Sequence, residues 1–267
     1  MMKHTLTLLT GLLLAQLTVL HAAETPEPGA KPNIVFILVD DLGYADIGPF
    51  GSTKNRTPQL DRMGREGMKL SSFYAAPVCV PSRAQVMTGC YAQRVYQRGG
   101  YPGDAYGLNP AEHTVAELLK AQDYATMCVG KWHLGDQPEF LPTRHGFDDY
   151  FGLPYSNDMP LKAKGSEELT HPLVRGEKVI ELVTMDGQDR LTERYTEEAV
   201  KFITANKTRP FFLYFAHTAV HWPIHPGAAF RGKSKNGIYG DWVEEVDWST
   251  GRILDTLREL KLAENQG

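Results

Sequence analysis

The sequence has few cysteines, no excess of positive charge and no long apolar run beyond its N-terminus. Its 267 residues include three cysteines, and the formal net charge is −4. Three cysteines cannot all pair in disulfides within one chain. Since no basic stripe stands out, we expect no nucleic-acid partner. The hydrophobic fraction of 42% is nevertheless sufficient for a globular protein with a substantial core.

The first 23 residues have the pattern of a secretory signal peptide. A basic start is followed by a leucine-rich stretch from Leu6 to Leu20 and then by small residues. Polar residues interrupt this stretch, so we expect no membrane span once the signal is cleaved. We predict an exported protein, periplasmic in a bacterial host or secreted. Residues 24–32 would be a lead-in and 33–267 the folded domain.

The order of the elements predicts an α/β fold with a largely parallel central sheet flanked by helices. Continuous apolar runs are typical of strands covered on both faces, and amphipathic segments between them are typical of helices. The predicted strands are 33–41, 68–75, 124–130 and 210–216, and the predicted helices are 57–67, 82–89, 114–122, 191–206 and 243–262. In the polar segment 160–190 we expect surface loops or a small hairpin.

Charged side chains follow two predicted strands at the end where open parallel sheets bind ligands. Asp40 and Asp41 end the first strand; adjacent carboxylates suit a hard divalent cation, although a solvated turn has the same pattern. Lys131 and His133 follow the strand at 124–130. An extended chain would point both at one anionic group. The alternative is a loop with Trp132 in the core and two exposed cations.

Two histidines and one cysteine complete the candidate residues. His217 and His221 follow the last predicted strand, where they either belong to a site or are loop histidines bonded to the backbone. The accompanying acids favour oxygen ligands over a zinc cluster. Cys79 lies at the start of a helix with Pro81 in its first turn, a position that favours a thiolate. Cys90 and Cys128 either pair or stay free.

The segment Cys79-Val80-Pro81-Ser82-Arg83, followed by Thr88-Gly89, resembles the C-x-P-S-R signature of the sulfatase family, most closely the arylsulfatase A type. Further segments resemble blocks of that family in the same order, namely 33–48, 57–63, 130–135, 146–158 and 217–223. The resemblance covers the chain from residue 33 onward. It implies an alkaline-phosphatase-like α/β domain that hydrolyses sulfate esters.

The resemblance also implies a modified residue and a metal. Cys79 would be converted to formylglycine by the formylglycine-generating enzyme, which reads Pro81 and Arg83. One hydroxyl of the hydrated aldehyde would attack the sulfur of the ester, and the other would help to expel sulfate. Asp40, Asp41 and an oxygen of modified Cys79 would bind the metal, expected to be Ca²⁺ with Mg²⁺ as the alternative.

The remaining roles are carried over from matching motifs. Arg83 would stabilise the hydrated aldehyde, and Lys131 and His133 would contact the diol and sulfate oxygens. Ser156 matches a serine that hydrogen-bonds the diol. His221 matches a histidine that contacts the sulfate near the leaving oxygen. The substrate would be a sulfated small molecule, sugar or lipid.

The family pattern continues past residue 267 with a strand ending in Asp-Asn-Gly, which carries further metal ligands, and with a later lysine. We therefore expect a fragment with half a metal site, little sulfatase activity and an unpaired apolar sheet edge. Three other functions stay open. They are a phosphonate or phosphodiester hydrolase of the same superfamily, a catalytically dead sulfatase-like binding protein, and a thiol hydrolase that uses unmodified Cys79.

Overall fold

A computed structural model describes residues 31–96 and 99–263. The predicted signal peptide and nearly all of the lead-in lie outside the described residues, so those two predictions stay predictions. Within the described part of the chain, no helix combines the length and the apolar character needed to cross a membrane.

One seven-stranded sheet forms the centre of the molecule. Its strands are β1 (Ile34–Leu38), β2 (Ala125–Gly130), β3 (Asp149–Gly152), β4 (Leu161–Lys162), β5 (Leu169–Arg175), β6 (Lys178–Thr184) and β7 (Phe211–Ala216). Their order is β1-β7-β2-β3-β5-β4, and β6 pairs with β5. The first four strands of this order are parallel, which confirms the α/β prediction. The strands β4 and β6 each pair antiparallel with β5, and β5 pairs antiparallel with β3.

In the described part of the chain, six α-helices flank the sheet. They are α1 (Pro58–Glu66), α2 (Cys79–Thr88), α3 (Ala92–Val95), α4 (Val115–Lys120), α5 (Leu191–Ala205) and α6 (Gly237–Glu259). Gly67 ends α1 and Gly89 ends α2, as predicted; Gly89 has the positive φ of 67° that glycine tolerates best. The helix α6 begins earlier than predicted, at Gly237, whereas α2 begins at Cys79, the residue that the sequence placed at the start of a helix.

The two faces of the sheet are buried under different helices. Alternate residues of β7 belong to opposite apolar clusters, as the two-residue period of a strand requires. Phe211 packs in the cluster that contains Tyr195 of α5 and Ile253 of α6. Phe212 packs in the cluster that contains Met87 of α2 and Ala116 of α4. The helix that begins with Cys79 is therefore anchored by its other end in the core.

The prediction of a strand at 68–75 is wrong. The segment is irregular, and Met68 and Tyr74 are 87% and 90% exposed. Its apolar residues favour a strand locally, but this segment does not pair in the sheet. The strand that pairs with β2 is β3, at 149–152, and this strand was not predicted. The strand β1 forms one edge of the sheet. Among the described residues it pairs only with β7, and its side chains are all half-buried.

Candidate active site

Six of the predicted site residues lie at the carboxyl ends of the four parallel strands, and Cys79 and Arg83 lie on α2. Asp40 and Asp41 follow β1, Lys131 and His133 follow β2, Ser156 follows β3, and His221 follows β7. Backbone hydrogen bonds hold these strand ends together. The Lys131 N–H donates to the Ala216 carbonyl, and the His217 N–H donates to the Leu38 carbonyl, each at 2.8 Å.

A buried ion cluster lies at the centre of the site. Arg83 Nη2 is 3.2 Å from Asp40 Oδ2, and Lys131 Nζ donates to the same oxygen. Burial disfavours the ionised form of Asp40, but the charges of Arg83 and Lys131 outweigh burial and hold its pKa below the usual value. Two cations and one carboxylate leave a net positive charge, which suits an anionic ligand.

Lys131 also links the ion cluster to the loop after β3. Its Nζ donates to Ser156 Oγ at 2.9 Å, and its carbonyl accepts from Arg83 Nη1 at 2.5 Å. Lys131 and His133 are buried, so the alternative of two exposed cations is wrong. The other half of that alternative holds, because Trp132 is also buried and donates from Nε1 to the Phe140 carbonyl.

His133 contacts Cys79, the first residue of α2. Its Nδ1 is 3.3 Å from Cys79 Sγ, and its Nε2 is 2.8 Å from the Gly100 carbonyl. Burial and the nearby charges of Lys131 and Arg83 lower the pKa of His133 to about 3. At neutral pH the imidazole is therefore uncharged and can accept a hydrogen bond from the group at residue 79.

His221 and Asp41 face each other at the mouth of the site. His221 Nε2 is 3.8 Å from Asp41 Oδ2, and His221 Nδ1 donates to the Trp222 carbonyl at 2.5 Å. The Asp41 side chain is 64% exposed, in contrast to the buried carboxylate of Asp40. Asp41 has a φ of 59°, so the chain turns sharply here and points the two adjacent carboxylates into different environments.

His217 lies apart from this cluster. It is buried, its ring centroid is 4.4 Å from that of Phe215, and its Nε2 is 3.5 Å from Ser249 Oγ on α6. Burial lowers its pKa to about 3. His217 is therefore a core histidine between sheet and helix, whereas His221 faces the site.

All three cysteines are free. Cys90 is exposed and Cys128 is buried in the sheet, so of the two alternatives left open by the sequence, the unpaired one holds. Cys79 is half-buried, which leaves its thiol accessible beside His133.

Two residues near the site were missed by sequence reasoning. Asn157 is buried, and its Nδ2 donates at 3.3 Å to the carbonyls of both His221 and Pro223, so it joins the loops after β3 and β7. The available signal was its place directly after Ser156. The other is Gly100, whose carbonyl contacts His133. The available signal was the Gly99-Gly100 pair, which indicates an unusual backbone conformation but no particular function.

The fold and site define an α/β protein with a half-buried cysteine, a neutral histidine and buried cations near the carboxyl ends of parallel strands. The family model described as sulfatase matches residues 32–266. The chain belongs to the sulfatase family.

Named relatives agree with this assignment. The chain is 41% identical to N-acetylgalactosamine-6-sulfatase of Sus scrofa, over 93% of this chain and 51% of that protein. It is 34% identical to steryl-sulfatase of Rattus norvegicus, over 96% and 57%. The crystal structure of PsFucS1 sulfatase from Pseudoalteromonas sp. has a TM-score of 0.77 and 29% identity, over 89% of this chain and 54% of that one. The chain thus spans about half the length of the curated relatives it matches.

Proposed function

We propose that the protein is an exported sulfuric ester hydrolase in which Cys79 is matured to formylglycine by the formylglycine-generating enzyme. The observation that carries the proposal is the contact of residue 79 with neutral His133, 3.3 Å away, beside the cluster of Arg83, Lys131 and Asp40. An aspartate pair and two buried cations have no evident use in a simple thiol enzyme. They suit a sulfate ester, which is anionic.

The residues of this chain would bind and orient the sulfate group. Arg83 and Lys131 are held by Asp40 before substrate arrives, so no reorganisation is needed when charge develops on the sulfate oxygens. Ser156 fixes the Lys131 ammonium through the 2.9 Å hydrogen bond. Formylglycine would supply the hydrated aldehyde as nucleophile, and His133 Nδ1 would accept a hydrogen bond from it. His221 would contact the leaving oxygen.

The magnitudes favour such preorganised charges over the helix terminus alone. Enzymes typically lower the barrier by about 8–23 kcal/mol. The dipole at the start of α2 contributes only about 1 kcal/mol at residue 79. Fixed cations in a site that excludes water, with a metal ion, can supply the larger share.

The carboxylates fit a calcium ion in kind but not in number. Asp40 and Asp41 offer oxygen ligands, which Ca²⁺ and Mg²⁺ prefer, but Ca²⁺ takes about 6–8 of them. Within residues 31–96 and 99–263, no group of three or more His, Cys, Asp or Glu is placed to hold a metal ion. Asp40 and Asp41 would therefore supply only part of a calcium site.

Calcium binding to this chain is expected to be weak. With two carboxylates, one of them engaged by Lys131 and Arg83, we predict a Kd of about 10⁻³ M or weaker by titration calorimetry. The variant Asp41→Asn should abolish the remaining heat, whereas Asp158→Asn, an exposed carboxylate outside the pair, should leave it unchanged. A micromolar Kd would contradict this prediction, because it would show that the small number of carboxylate ligands does not limit the calcium affinity of the chain.

Sulfated sugars are the first substrates to test. The relatives named N-acetylgalactosamine-6-sulfatase are more similar to this chain than those named steryl-sulfatase, at 41% against 34% identity. We propose a sulfated sugar as substrate, with sulfated lipids and aryl sulfates as the alternatives.

The decisive comparison is between sulfate and phosphate esters. The chain, co-expressed with a formylglycine-generating enzyme, is assayed for hydrolysis of an aryl sulfate and an aryl phosphodiester, with Cys79→Ala as the control. We expect slow turnover that is faster with the sulfate and absent in the control. Faster phosphodiester hydrolysis would support a phosphonate or phosphodiester hydrolase instead. No turnover with either ester, despite complete maturation, would favour a sulfatase-like binding protein.

A thiol hydrolase is the second candidate, because Cys79 Sγ and His133 Nδ1 already form a thiol–imidazole pair. It predicts activity in the unmatured chain that thiol alkylation removes. The sulfatase proposal predicts that the unmatured chain is inactive.

A further inference from the structure

Two consecutive glycines place a backbone carbonyl against the site. Gly99 and Gly100 have φ values of 110° and 105°, a region that side chains rarely adopt. The turn brings the Gly100 carbonyl to 2.8 Å from His133 Nε2 in a buried contact. A carbonyl oxygen only accepts, so Nε2 must carry the hydrogen.

This contact decides which nitrogen of His133 faces residue 79. With the hydrogen of the neutral ring committed to Nε2, Nδ1 keeps its lone pair. Nδ1 is the nitrogen that lies 3.3 Å from Cys79 Sγ. The backbone at Gly100 thus fixes both the tautomer and the orientation of the ring.

The position also excludes any other residue. A Cβ at Gly100 would lie 2.9 Å from Val80 Cγ2 and 3.5 Å from His133 Nε2, in addition to the strain of its φ. A side chain would therefore push this carbonyl away from the histidine. Gly103, in the same loop, also has a positive φ of 78°, but an added Cβ there meets nothing within 4 Å.

We propose that Gly100 is a positioning residue, whose carbonyl holds His133 so that Nδ1 accepts a hydrogen bond from residue 79. The inference deepens the proposed function, since the group at residue 79 is a thiol before maturation and a hydroxyl after it. It is tested on the unmatured thiol chain. A negative result would therefore count against the role of Gly100. The proposed sulfatase activity would still be tested separately, by the comparison of sulfate and phosphate esters.

The first measurement is the imidazole ¹⁵N spectrum of the unmatured chain, with the His133 signals assigned by their loss in His133→Gln. We expect a protonated Nε2 and an unprotonated Nδ1 at neutral pH. The variant Gly100→Ala should lose this single tautomer, and Gly103→Ala, which also replaces a glycine of positive φ in the same loop, should keep it. A wild-type ring protonated at Nδ1 would overturn the proposal even if Gly100→Ala fails to fold.

The second measurement is the rate of Cys79 alkylation in a Cys90→Ser background, which removes the exposed cysteine. Loss of one aligned hydrogen bond to the thiol should slow alkylation about fivefold in Gly100→Ala. Gly103→Ala should react at the parent rate. Equal rates in the two variants, together with an unchanged His133 spectrum, would show that Gly100 has no positioning role.

Discussion

Replacing Asp40 with asparagine is expected to lower the free energy of unfolding by about 3–5 kcal/mol, the usual result of removing one partner from a buried ion cluster. Asp40 Oδ2 accepts from both Arg83 and Lys131, whose side chains are 1% and 0% exposed. Without the carboxylate, two buried cations face each other and neither is neutralised.

The matched control is the adjacent residue. Asp41→Asn makes the same chemical change on a side chain that is 64% exposed, and its contact with His221 is long, at 3.8 Å. Exposed substitutions usually change stability by no more than about 0.5 kcal/mol. Urea denaturation of both variants at neutral pH measures the difference. Equal losses in the two variants would mean that the buried cluster is not a major contributor to stability.

Acidification is expected to unfold the protein through its buried neutral histidines. His217 has a pKa of about 3 in the fold, below the ordinary value of about 6.5 that applies once it is unfolded. Between these values the unfolded state binds more protons at His217, so the contribution of this residue to stability is complete above about pH 6.5 and is lost as the pH drops towards 3. His133, also with a pKa of about 3, adds to this loss.

The contribution of His217 is separable by mutation. At about 1.4 kcal/mol per pKa unit, His217 alone costs about 3 kcal/mol at about pH 4 relative to pH 7. The variant His217→Phe removes the titrating group and keeps an aromatic ring beside Phe215. Its acid-unfolding midpoint, followed by circular dichroism, should move to lower pH, whereas His113→Gln on an exposed side chain should not move it. A midpoint that stays put in His217→Phe would show that His217 is not a proton acceptor during acid unfolding.

The location of the site was largely predictable, because ligands bind at the carboxyl ends of the strands in an open parallel sheet. Asp40, Lys131, Ser156 and His221 each follow a strand, and the carboxyl ends of parallel strands meet at one edge. The strand pattern alone does not distinguish His217 from His221, and only the family resemblance assigned a role to His221 and none to His217. Both follow β7, and only the packing of α6 against the sheet shows that His217 faces Ser249 instead.

The failures have a common physical cause, since long-range contacts override local pattern. The apolar segment 68–75 has strand-like composition, but β2 pairs with β3, whose four residues give a weak signal. The polar segment 160–190 is not one of these failures, because β5 and β6 pair antiparallel there and confirm the small hairpin that was one of its two expected structures. Gly100 acts through its carbonyl, which no side-chain motif reports.

The most direct test of the central claim is peptide mass spectrometry across Cys79, after expression in a host with formylglycine-generating activity. We expect a peptide at the mass of the aldehyde or its hydrate, and a chain lacking an alkylatable thiol at this position. A free Cys79 in a competent host would contradict it, because the C-x-P-S-R segment would then not be recognised. The thiol-hydrolase and binding-protein alternatives would take its place.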